Sequence, residues 1–222
     1  GDKEASNDYR GVLKNRNLIL GAIGLFCYVG AEVALGSYMV NYFLSLDLAE
    51  TVRETSFMRT IASWILSTGI SASSDMAVVG VFVTFYWTGA MIGRFIGSYL
   101  TTIFNPARVL SVFAVGAISM ILISTFSVGL VAMWTIIAVG LFNSIMFPTI
   151  FSLALDGLGD DKAQGSGVLC TMIVGGAIIP PAYGFLTDSY SFKIALILVM
   201  ICYAYIFYYA WTNKRRAVIM NN

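Results

Sequence analysis

The chain reads as an all-α membrane protein built on six transmembrane helices. Composition is the first observation behind this: of 222 residues, 58% are hydrophobic and 11% charged, with a mean hydropathy of +0.81. Soluble domains carry about 25% charged residues. Span length is the second. Apolar runs at 18–46, 76–103, 107–126, 130–155, 165–186 and 192–211 reach the ~20 residues a helix needs to cross hydrocarbon. Charge placement is the third. Threading these spans puts Lys3, Arg10, Lys14, Arg16, Arg94, Arg108, Lys162, Lys214, Arg215 and Arg216 on one side, and Arg53, Arg59 and Lys193 on the other. The positive-inside rule then places both termini in the cytoplasm.

This division gives a cytoplasmic linker at 1–17, a transmembrane body at 18–211 and a cytoplasmic tail at 212–222. The net charge of +1 offers no basic surface for nucleic acid. Gly1 opens a polar segment with neither an initiator Met nor a signal peptide, so the chain reads as a fragment.

Span one carries Glu32, a carboxylate deep in an apolar run, with Tyr28 and Gly36 on its face at i−4 and i+4. A carboxylate there must be hydrated, paired or protonated. It serves either as a hydrogen-bonding or proton site for a solute, or as a structural bond to a neighbouring helix. Farther along, Tyr38, Asn41 and Tyr42 cluster, Tyr42 close enough to the span end to join an interfacial aromatic belt.

The long connection at 47–75 sets Phe57, Met58, Ile61, Trp64, Ile65 and Thr68 at helical spacing beside Arg53, Glu54 and Arg59. That pattern predicts a short amphipathic helix resting on the membrane surface, too short for a seventh span.

Span two holds Gly89, Gly93 and Gly97 in an i, i+4, i+8 ladder that lets another helix approach closely. The ladder is either static packing or a surface on which bundles slide. Arg94, read toward the cytoplasmic end, can snorkel or hold a gating contact. Span four carries Asn143 and Pro148 in its middle, and an amide and an imino acid in hydrocarbon both need a neighbouring helix or a cavity. Asn143, Phe147 and Phe151 share one face. An amide beside aromatic rings suits a sugar, whose hydroxyls need fixed partners and whose apolar face packs on an aromatic; the alternative for each ring is core or lipid contact. Gly175–Gly176 and Pro180–Pro181 predict a kink or unwound turn in span five.

Catalytic constellations fail. With no histidine, a Ser–His dyad or a His-containing zinc site is impossible. Cys27, Cys170 and Cys202 lie in apolar runs, where cysteine acts as a small hydrophobe. Gly157, Gly159 and Asp160 match the GxGD pattern of intramembrane aspartyl proteases, but no partner Asp sits inside another span. Asp156, Asp160 and Asp161 are loop charges in this reading.

The stretches YVGAEVALGSYMVNYF at 28–43 and NSIMFPTIFSLAL at 143–155 resemble the fucose permease family of sugar–proton symporters, nearest its glucose/galactose branch. Gly93–Arg94 through Pro106 and Arg108 resembles the loop between spans eight and nine of the major facilitator superfamily. The resemblance implies spans seven to twelve of a twelve-span transporter, its C-terminal lobe, whose N-terminal six-helix lobe is missing here. It further implies a monosaccharide substrate bound between two lobes, alternating access, no cofactor, a proton as coupling ion and a bacterial inner-membrane location amid lipid. Glu32 where fucose-type members carry an amide points to a hexose other than fucose. The substrate-binding set it suggests is Glu32, Tyr38, Asn41, Asn143 and Phe147, with Glu32 a secondary candidate for proton coupling, since the family's main coupling carboxylates belong to the absent lobe. Gly89, Gly93, Arg94, Gly97 and Pro148 form the gating or packing set. The rivals are a free-standing six-span half-transporter that dimerises, a carrier of another solute, or a non-transporting scaffold using the glycine ladder.

Overall fold

Helices begin where a capping side chain meets an apolar run. A computed structural model describes residues 9–66 and 69–220, with side chains described for 11–66 and 69–213. Lys3 and Thr68 lie outside the described residues, as do the side chains of Arg10, Lys214, Arg215 and Arg216. After a short helix α1 (Tyr9–Val12), the Asn15 side chain accepts from the backbone N–H of Asn17 and Leu18 and starts α2 (Arg16–Ser45). Ser74 caps α5 (Asp75–Ile103), and Asn105 caps α6 (Pro106–Phe126), where Pro106 takes the first turn that needs no N–H.

The long connection folds as two helices, α3 (Leu48–Glu54) and α4 (Ser56–Ile65). Arg53 ties this segment to the start of α5, pairing with Asp75 at 2.6 Å and donating to the Ser73 carbonyl at 3.1 Å. In α4, Met58 and Ala62 turn inward while Phe57 (66% exposed) and Trp64 (88% exposed) stand outward. The amphipathic helix therefore has one apolar face on the protein and a second one free.

Span four is two helices, α7 (Gly129–Asn143) and α8 (Met146–Leu155). Pro148 explains the break. It has no N–H for the Ser144 carbonyl, and its ring crowds the same turn. Span five is α9 (Lys162–Thr171), a 3₁₀ turn at Met172–Val174, and α10 (Gly175–Ser189). The distortion expected from its double glycine and double proline falls just before Gly175, and α10 continues through Pro180 and Pro181. Span six is α11 (Phe192–Met220). Among the described residues, six segments are long and apolar enough to cross a membrane.

Small residues set how closely the spans pack. A Cβ on Gly97 would overlap Ile145, and one on Gly93 would meet the Leu141 carbonyl and Ser144. Gly89 is looser, its Cβ reaching only ordinary contact at 3.5 Å from the Leu141 nitrogen. From the other side, Gly140 leaves room for the Tyr86 backbone. The ladder of α5 thus lies against the α7–α8 break. On the opposite flank of α2, Gly30, Gly175 and Gly184 seat Ile179, Phe26 and Tyr38 in the same way.

Asn17 donates to the Leu153 carbonyl at 2.6 Å, holding the start of α2 against the end of α8. The starts of α2 and α6, the 156–162 turn and Asn213 gather around one open cleft at that end of the bundle. In the turn, Gly157 takes a φ of +79°, a left-handed conformation that favours glycine. The GxGD pattern is therefore part of a turn followed by a 3₁₀ helix (Gly159–Asp161).

Candidate functional site

Along α2 a stripe at Val33, Ser37 and Asn41 is open to the surroundings, with Glu32, Gly36 and Val40 half-buried beside it. On α8 the corresponding open positions are Pro148 and Ser152, with Phe147 and Phe151 half-buried. This is the face on which the predicted residues can be placed.

Glu32 and Phe147 come together at Tyr28, and Asn143 is bonded to Tyr86 and Tyr203 behind them. The Glu32 carboxylate interacts with the Tyr28 hydroxyl one turn earlier, and Arg94 of α5 attracts it. The Phe147 ring meets Tyr28 edge-on at 6.2 Å between centroids and stacks on Phe151 at 6.0 Å. Arg94 is exposed and lies within α5, nine residues or about 14 Å before its end, rather than in the turn to span three. The sequence reading set this arginine in span two, toward its cytoplasmic end. The helix continues to Ile103 because its apolar run does.

Asn143 lies deeper than a group that faces a sugar. It has no accessible surface, its Nδ2 donates to the Tyr86 hydroxyl at 2.7 Å, and its Oδ1 accepts from the Tyr203 hydroxyl at 2.6 Å. Both tyrosines are fully buried, so the amide cross-links spans two, four and six at the point where α7 ends. Glu32 also acts electrostatically on Tyr86 and Tyr203. The polar cluster therefore runs from the half-open carboxylate into the centre of the bundle.

Asn41 is exposed on the same stripe as Glu32, but about 14 Å farther along α2. Tyr38 turns away from that stripe, its ring against Tyr183 at 5.2 Å and its hydroxyl over Gly184. Tyr42 is buried, with its hydroxyl 3.0 Å from Ser124 Oγ, so it is a packing residue and not part of an interfacial belt. The structure thus separates the predicted set into a central group and a distal pair. Tyr86 and Tyr203 were missed from sequence; a tyrosine hydroxyl in mid-span signals that a hydrogen-bond partner is needed, but not which one. Among the described residues no group of three His, Cys, Asp or Glu is placed to hold a metal ion.

No protein-family model matches the chain. It is 45% identical over 200 residues to a glucose/galactose transporter of Brucella abortus, a match covering 90% of this chain and 43% of that one. It is 35% identical over 213 residues to a putative glucose/galactose transporter of Helicobacter pylori, covering 90% and 44%. It is 34% identical over 193 residues to the L-fucose–proton symporter of Escherichia coli, covering 86% and 39%. The crystal structure of the major facilitator superfamily transporter FucP in an outward conformation superposes with a TM-score of 0.75 at 30% identity, covering 92% of this chain and 44% of FucP. The chain spans less than half the length of each of these relatives. It belongs to the fucose permease family of the major facilitator superfamily, beside the glucose/galactose transporters, and aligns with the C-terminal half of FucP.

Proposed function

We propose that the chain is the C-terminal six-helix lobe of a monosaccharide transporter that works by alternating access against an N-terminal lobe. Glucose or galactose is the substrate class, a proton the coupling ion, and a bacterial inner membrane the location, with both termini cytoplasmic. The observation that carries this reading is the position of Glu32. A carboxylate inside a span sits half-open beside Tyr28, Phe147 and Arg94 on a face running along α2 and α8, in a chain 45% identical to a glucose/galactose transporter. Intramembrane carboxylates are expensive and face cavities or partners.

In this mechanism Glu32 accepts hydrogen bonds from sugar hydroxyls, and Arg94 keeps its charge compensated when the site is empty. Phe147 offers a stacking surface for the apolar face of the ring. Asn41 is a second hydrogen-bonding group on the same face. Asn143 acts as a positioning residue, holding α7 so that α8 presents Phe147; Tyr38 supports α2 against α10. Binding between two lobes near the bilayer midplane is how such folds couple site access to rigid-body rocking.

The test is uptake of labelled glucose or galactose by the full-length protein in proteoliposomes. Glu32→Gln is expected to lower uptake strongly, whereas Lys162→Gln, in an exposed turn, leaves it near wild type. Undiminished uptake by Glu32→Gln removes the carboxylate from the mechanism. Collapse of uptake when an ionophore dissipates the proton gradient, with retained counterflow, identifies proton symport.

A further inference from the structure

Two of the cysteines face each other across the α2–α11 interface. These helices run antiparallel with a readable register: Gly21 packs under the Tyr209 hydroxyl, and Gly24 lies beside the rings of Tyr209 and Tyr205. One further turn along α2 brings Cys27 opposite Cys202, and Tyr28 into electrostatic contact with Tyr203. This register sets Cys27 and Cys202 on facing turns of the two helices, although they are 175 residues apart in sequence (202 − 27) and neither is in a disulfide. Cys202 is buried and Cys27 partly accessible, whereas Cys170 stands exposed elsewhere. Neither thiol takes part in the sugar-site reading.

We propose that Cys27 and Cys202 form a dithiol site that chelates a thiophilic ligand of the trivalent arsenical class. Two sulfurs held together by separate helices bind such a ligand far better than one, because the second bond forms at high effective concentration. With phenylarsine oxide, each thiol gives up its proton and forms one S–As bond. The arsenic–oxygen bond breaks and the oxygen leaves as water carrying both protons, with arsenic remaining trivalent throughout. The reagent is small and apolar, and Cys27 gives it an accessible first contact. Cys170, with no partner thiol among the described residues, makes only a single, readily lost bond.

The experiment treats full-length protein in membranes with phenylarsine oxide, washes it, then denatures, alkylates with maleimide and maps peptides by mass spectrometry. Cys27 and Cys202 are expected to be protected together while Cys170 is alkylated, and a small dithiol added before denaturation should release both. Cys27→Ala should return Cys202 to full labelling, and Cys170→Ala should leave the protected pair unchanged. Full alkylation of Cys27 and Cys202 in treated wild-type protein overturns the proposal. So does protection of Cys202 that survives Cys27→Ala.

Discussion

Asn143→Ala should destabilise the protein substantially even though it touches no open surface. The substitution strands the Tyr203 hydroxyl, which donates to Asn143 at 2.6 Å in a fully buried position. Leaving a buried donor without its acceptor costs about 1–3 kcal/mol. The bond from Asn143 to Tyr86, at 2.7 Å, is lost as well. Interhelical hydrogen bonds in membrane proteins are worth roughly 0.6–1.7 kcal/mol. Together the change amounts to about 2–4 kcal/mol. At about 2–4 °C per kcal/mol for a domain of this size, the midpoint should fall by roughly 4–16 °C. The assay is loss of the monodisperse peak of detergent-solubilised full-length protein on heating. Adding Tyr86→Phe and Tyr203→Phe to Asn143→Ala should recover much of the loss, because the stranded hydroxyls go with their partner. An unchanged midpoint in Asn143→Ala, or a triple variant no more stable than the single one, would refute the cross-link.

Other substitutions separate the glycines and test the periphery. Gly97→Ala should cost about 1–3 kcal/mol through overlap with Ile145, while Gly89→Ala, with room at 3.5 Å, stays near wild type in the same melting assay. Arg53→Ala removes a partly exposed ion pair and should cost no more than about 1 kcal/mol. Its clearer effect should be faster tryptic cleavage at Arg59, read by limited proteolysis. A variant retaining Trp64 as its sole tryptophan should be quenched by brominated lipid, since that ring is 88% exposed on α4; a signal insensitive to lipid would remove α4 from the bilayer interface.

The spans were largely legible because hydrocarbon leaves little choice: an apolar run of sufficient length must be helical. The readings at 76–103 and 107–126 differ from α5 and α6 by one residue at their starts. Pro148 also announced its break, since the missing N–H is a local property of the chain. What stayed hidden was which residues meet. Asn143 needed partners, but nothing along the chain marks Tyr86 or Tyr203 over other mid-span aromatics. The Glu32 side of the site was legible as a costly carboxylate, and its neighbour Tyr28 by helical spacing alone. The reading at 76–103 already set Arg94 inside span two, nine residues before its end, but nothing along the chain marks it as the neighbour of Glu32.

The contact between the α5 glycines and the α7–α8 break carries a consequence for how this family can vary. Pro148 leaves the Ser144 carbonyl without its helical partner, and an unpaired peptide group cannot be left against lipid. The bare backbone of Gly93 and Gly97 acts as a cover over this turn, excluding acyl chains from it. Enlarging either residue would lift the cover as well as spread two helices. In related chains, bulky residues at positions 93 or 97 should therefore occur where position 148 has reverted to a residue that can donate its own N–H.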